Sequence, residues 1–172
     1  MVPWSARIDA EDLSYVNPWG LDDLRLHLLW KNVADLTKNY WAAGFRNMIA
    51  GSFLNNIDHY HAFRQHLNAE ATTYLIQLCA TKPVRDRRRI ERLKPSTAEW
   101  RDHVDLIDPE DTTFGAHRGD YHYQRLDTDG LTVDDTIMAI RRWAPELFVD
   151  PLKPDSDLEP DQHPRQPGSG SG

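Results

Sequence analysis

Apolar positions recur along this chain with two periods, and the switches between them mark out its elements. Trp4, Ala6 and Ile8 alternate with polar neighbours, the two-residue period that predicts a strand over residues 2–8. The acids Asp9, Glu11 and Asp12 stop it, and Asn17-Pro18 and Gly20 mark a loop. Leu26, Leu29, Val33, Leu36 and Tyr40 then fall at intervals of three and four, so residues 21–42 read as a helix with one apolar stripe, ended by Gly44. A mostly apolar run over 45–51, closed by Gly51-Ser52, predicts a buried strand. Residues 58–69 read as a helix with Tyr60, Phe63 and Leu67 inward. The β-branched, aromatic and aliphatic run over 72–79 is the clearest strand. Pro83 opens a strongly basic helix over 84–93. Residues 94–119 are polar and lack a sustained period, which predicts loop with short helical turns. A strand over 121–126, a turn at Asp127-Thr128-Asp129-Gly130 and a helix over 133–143 follow. Thr132 and Asp135 have the spacing of a capping box, and Val133, Ile137 and Ile140 form the stripe that helix would bury.

Strand and helix thus alternate four times. That is the pattern of an α/β domain with a parallel sheet covered by helices. Such sheets bind ligands beyond the carboxyl ends of their strands, so the residues just after Ile8, Ile49, Cys79 and Leu126 are the first places to look for chemistry. From residue 149 the composition changes. Pro151, Pro154, Pro160, Pro164 and Pro167 sit among acids, and the chain ends Gly-Ser-Gly-Ser-Gly. The reading is one domain over 1–148 and a disordered Pro-rich, acidic tail over 149–172 that ends in a linker.

Charge narrows the partners. The net charge of −7 argues against non-specific binding to nucleic acid or to an anionic membrane as the main role. No apolar run approaches the roughly 18 residues of a membrane span, and the first residues lack the apolar centre of a signal peptide. Cys79 is the one cysteine, so no disulfide forms within the chain; a cytoplasmic location is expected. Cys79 itself reads as a small buried apolar residue.

Three constellations can carry chemistry. Asp9 directly follows a strand and Asp12 lies three residues on. A carboxylate there can take a proton from a hydroxyl or help hold Mg²⁺, and it can equally serve as a helix cap. Arg85, Arg88, Arg89 and Arg92 fall at i, i+3, i+4 and i+7, on one helical face. Four guanidiniums so placed suit phosphate, or pair with Asp86, Glu91 and nearby acids as a solvated face. Asp127, Thr128, Asp129 and Gly130 form a turn that can hold a nucleobase by backbone groups or simply join strand to helix. The eight histidines show no zinc-like spacing, and no metal site is expected.

In order and spacing these segments resemble the P-loop small-molecule kinases, the group that includes chloramphenicol phosphotransferase-like and shikimate-kinase-like enzymes. ARIDAEDL resembles their second strand, and the resemblance makes Asp9 the catalytic base with Asp12 nearby. WKNVADLTKNYWAAGFRNMIAGSF resembles their next helix and strand, which implies that Asn32, Gly51 and Ser52 flank the acceptor. YLIQLCATKPVRDRRRIERL resembles the strand leading into their lid. It implies that Arg85 and Arg89 contact the transferred phosphate and Arg88 and Arg92 the nucleotide. YQRLDTDGLTVDDTIMAIRRW resembles their last strand, adenine-side loop and final helix, which implies that Asp127, Thr128, Asp129 and Gly130 bind nucleotide. Arg64 is a further candidate acceptor contact. The implied cofactors are ATP and Mg²⁺, and the implied acceptor is a small molecule with a free hydroxyl. No G-x-x-x-x-G-K-[ST] occurs in the chain, however. The resemblance therefore implies a P-loop kinase-like domain that lacks the first, central strand and its phosphate loop, N-terminally truncated, inactive alone and marginally stable. A non-catalytic binding or interaction scaffold is the alternative, with a homodimer or a partner completing the sheet.

Overall fold

In the computed structural model, residues 4–17, 22–51, 53–92, 96–107, 112–116 and 119–149 are described. The expected tail, from residue 150 onward, and Ser52 lie outside them. The strands are β1 (Ser5–Asp9), β2 (Asn47–Gly51), β3 (Thr73–Cys79) and β4 (Tyr121–Asp127). The helices are α1 (Asp23–Ala42), α2 (Ile57–Arg64), α3 (Lys82–Ile90), α4 (Ala98–Ile107) and α5 (Val133–Trp143). The strands make two parallel pairs rather than one sheet. β1 pairs with β2 so that Asp9 lies opposite Gly51, and β3 pairs with β4 so that Cys79 lies opposite Asp127.

The period-two reading of β1 is right about faces and wrong about its start. Ala6 and Ile8 are buried, but Trp4 precedes the strand in a left-handed conformation (φ 48°), where its carbonyl accepts the backbone N–H groups of Arg46 and Asn47. The α1 stripe packs as its spacing demands. Leu29, Trp30, Val33 and Ala34 close on Ile8 and Ala10 from β1, on Phe53, and on Phe63 from α2, with Leu26, Leu36, Tyr40 and Ala50 around them. Gly44 follows α1 at φ +94°, a region closed to most side chains, and this lets the chain reverse into β2. Gly44→Ala should cost about 1 kcal/mol in chemical denaturation, from backbone strain alone, since nothing lies where its Cβ would go.

α2 is the bridge between the two strand pairs. Phe63 enters the core over β1 and β2, while Ile57 and Tyr60 enter a second cluster with Leu75 of β3, Tyr121 and Tyr123 of β4, and Phe114. Alternation then turns Tyr74, Ile76 and Leu78 to the other face of β3, where the Tyr74 ring meets Trp143 of α5 edge-on and its hydroxyl donates to Glu146 at 2.7 Å. The α5 capping box forms as the spacing predicts: Thr132 Oγ1 accepts from Asp135 N–H, and the Asp135 carboxylate accepts from Thr132 N–H.

Two expectations fail. The polar stretch after residue 94 contains a full helix, α4, started by Thr97, whose hydroxyl accepts from Trp100 N–H. Trp100, Val104 and Ile107 do keep a helical spacing, but over ten residues only and inside a polar stretch, and ion pairs to α3 add to its hold. The α5 stripe is the second failure. No residue of α5 is buried, and Val133 is 77% and Ile137 43% exposed, because only the Trp143 end of the helix rests on the sheet.

Candidate active site

The strand ends divide the candidate chemistry into two groups. At the end of the first pair, Asp9 closes β1 and Gly51 closes β2 beside it. Asp9 is exposed. Its carboxylate accepts from Arg7 Nη2 at 2.9 Å and from Glu11 N–H at 3.3 Å, so it both forms an ion pair and caps the following turn. Asp12 begins a short 3₁₀ turn (Asp12–Ser14) and is exposed. Beside that turn a hollow lined mainly by Leu13, Val16, Leu26 and Leu29 lies against α1. Asn32 is half-buried in α1. Arg64 is fully engaged elsewhere. Its Nε donates to Asp120 at 2.6 Å and its terminal nitrogens donate to the carbonyls of Asn68, Ala69 and Ala71, a clamp between α2, the turn after it and the start of β4.

At the end of the second pair the basic helix and the final turn come together. Arg88 Nη1 donates to Thr128 Oγ1 at 2.9 Å, and its Nη2 donates to the carbonyls of Thr128 and Leu131. Thr128 is buried, and its own N–H and hydroxyl both donate to the carbonyl of Cys79, at 2.8 and 2.9 Å. Asp129 accepts from Thr81 N–H at 2.7 Å, the principal cause of its lowered pKa, and Asp127 accepts from Asp129 N–H. Gly130 is exposed at the tip, and Arg92 is exposed just past α3. Cys79 is buried, as its composition suggested.

Arg85 and Arg89 do not face open solvent. Each reaches Asp105 Oδ1 of α4 at 3.1 Å, and Lys82 reaches Asp105 Oδ2 at 3.0 Å and Asp102 at 2.8 Å. Arg85 also donates to the carbonyl of Ala80, and the Arg89 guanidinium lies 5.8 Å from the Trp100 ring. Burial alone would raise the Asp105 pKa. The hydrogen bonds from Lys82, Arg89 and Arg85 outweigh it and hold the carboxyl well below the usual range. Lys82 also pairs with Asp86 of its own helix at 3.0 Å, and three acids, Asp102 first, then Asp86 and Asp105, raise its pKa. The structure thus holds the α3 arginines in an ion-pair network with α4. Sequence reading missed Lys82, Asp102 and Asp105; the spacing of Asp102 and Asp105 at i, i+3 opposite a basic face was the available signal.

Two more features escaped sequence reading. Tyr60 donates to Asp120 at 2.8 Å between the two strand pairs, and burial, then this bond, push its pKa up to about 12. The His59 ring lies tilted against buried Trp30, with centroids 5.2 Å apart, and its Nδ1 is buried without a hydrogen-bond partner. Among the described residues no three His, Cys, Asp or Glu side chains are grouped closely enough to hold a metal, and no helix is long and apolar enough to cross a membrane.

No family model matches the chain, and no curated protein is similar to it in sequence. Among solved structures, it is similar to the unliganded crystal structure of a sugar kinase from Janibacter sp. HTCC2649, with a TM-score of 0.63 and 14% identity over 86% of each chain. That likeness shows a kinase-like fold.

Proposed function

We propose that this chain forms the acceptor and lid portions of a small-molecule phosphotransferase domain. The observation that carries the reading is the arrangement at the strand ends. On a kinase-like fold, an exposed carboxylate closes one parallel pair and an arginine-bearing helix closes the other. Asp9 would hold and deprotonate the acceptor hydroxyl, with the backbone at Gly51 beside it. The structural neighbour is described as a sugar kinase, so monosaccharides are the first acceptors to test.

The donor side does not fit ATP-Mg²⁺. The chain has no G-x-x-x-x-G-K-[ST] to cradle phosphates, and Arg85, Arg88 and Arg89 are already committed to Asp105 and the Thr128 turn. No transfer step is assigned to the chain alone, and we propose that it is inactive by itself.

The test is a titration of the labelled chain with a panel of monosaccharides, followed by NMR, for wild type and Asp9→Asn. We expect saturable shifts of the amides of residues 9–11 and 50–51, about tenfold weaker binding in the variant, and no ATP turnover in either. Shifts confined to other surfaces would refute the acceptor site, and turnover by the lone chain would refute the inactivity. A non-catalytic scaffold is the second reading, favoured by the missing phosphate loop. It expects sugar affinity, if any, to be indifferent to Asp9→Asn.

A further inference from the structure

α3 and α4 meet largely through charge. No residue of α4 from Ala98 to Leu106 is buried, and Trp100 and Leu106 are 51% and 78% exposed. The ion pairs that dock the helix run both ways. Asp105 of α4 gives one carboxylate oxygen to Arg85 and Arg89 and the other to Lys82, and Asp102 offers Lys82 a second acceptor. In return, Arg101 of α4 approaches Asp86 of α3. That return contact is poor. Asp86 Oδ1 is buried without a hydrogen bond, and the guanidiniums of Arg89 and Arg101 stop at 3.7 and 3.6 Å from it. A buried acceptor left unbonded carries a desolvation cost that water would remove, so the docked state is penalised at its own contact.

We infer that α4 is an autoinhibitory latch over the α3 cations. Asp105 stands there in place of an external anion, and a compact polyphosphate displaces it and sets α4 free. Three cations converge on the two oxygens of one acid. A diphosphate brings more oxygens and more charge to the same fork geometry, so it competes with a single carboxylate on favourable terms. Docked, α4 denies the α3 arginines to any phosphate. Released, it hands over Lys82, Arg85 and Arg89 together, and Asp86 Oδ1 gains access to water. The latch rests on these ion pairs, not on the acceptor role of Asp9, and no sugar enters its test.

Hydrogen exchange of the intact chain, with inorganic pyrophosphate as the probe, reads the release. A helix of 10 residues is too short to persist in water off its support, so fast exchange of the α4 amides reports undocking. We expect saturating pyrophosphate to speed α4 exchange about tenfold and to leave the β3 and β4 amides as they were. Sodium chloride at the same ionic strength should speed it no more than about threefold, because partly buried pairs are screened less than exposed ones. Asp105→Asn keeps the shape of the side chain and removes its charge. Its α4 amides should exchange about tenfold faster than wild type with no anion present, and pyrophosphate should add nothing further. Unchanged or slower α4 exchange of wild type in pyrophosphate would overturn the latch. So would equal acceleration by sodium chloride, which would reduce the release to screening, and so would an Asp105→Asn chain whose α4 amides keep wild-type protection.

Discussion

Tyr60→Ala is expected to abolish cooperative folding of the chain at room temperature. The side chain is fully buried, its ring meets Tyr121 edge-on with centroids 4.7 Å apart, and its hydroxyl bonds Asp120 at 2.8 Å. Truncating a buried aromatic costs about 3–5 kcal/mol. Domains of this size hold only about 5–15 kcal/mol in all, and two-stranded sheets contribute little by themselves. The position matters more than the area, because Tyr60, with Ile57, fastens α2 to the second strand pair. Tyr60→Phe keeps the ring and loses one hydrogen bond, at a cost of about 1 kcal/mol, with Arg64 still holding Asp120. Thermal melts followed by far-UV circular dichroism check both. A Tyr60→Ala protein that melts within a few degrees of wild type would show that the pairs do not depend on this bridge. The pH dependence is fixed by the same burial. The Tyr60 pKa rises from 10.0 to about 12 on folding, so its contribution is complete below pH 10 and is lost as pH rises through about 12.

Asp105→Ala should have opposite effects on stability and on anion binding. One carboxylate, 16% exposed, receives Lys82, Arg85 and Arg89. Removing the partner of a buried cation costs about 3–5 kcal/mol, and the partial exposure here reduces the expectation to about 2 kcal/mol. For a chain of this length that is a fall of about 4–8 °C in Tm. The freed guanidiniums of Arg85 and Arg89 should then bind inorganic phosphate or pyrophosphate at least tenfold more tightly, since the fork geometry that suits a carboxylate also suits a phosphate. Calorimetric titration with pyrophosphate, for wild type and variant, reads the second effect. Equal affinities would mean that α4 does not occupy an anion site. The Asp105 pKa falls below its ordinary 3.8 on folding, so its stabilisation is present above that value and is lost as pH falls toward the folded value. Asp105→Ala should flatten the acid limb of the stability curve.

Legibility followed periodicity. α1 was readable because Leu29 and Val33 bury one stripe, and β3 because its residues are β-branched and apolar. The capping box was readable because Thr132 and Asp135 sit three apart. α4 was passed over because its one apolar stripe, Trp100, Val104 and Ile107, spans only ten residues among polar ones, and its ion pairs to α3 cannot be read along the chain. At the candidate site the positions of Asp9 and of the arginine face were visible from strand ends and helical spacing. Their partners were not: Arg85 and Arg89 lie 20 and 16 residues from Asp105, and Arg88 lies 40 from Thr128.

By itself the sequence determined the four strands, every helix but α4, and the inward faces of α1 and α2, since these depend on neighbours two, three or four residues away, and the strand–helix alternation gave the parallel sense. Only the tertiary structure decided that four strands form two pairs and not one sheet. It alone made α2 the bridge, committed the arginines to Asp105 and left the α5 stripe exposed. Those outcomes depend on which distant groups meet, and an apolar stripe states that it needs a cover without stating what provides one.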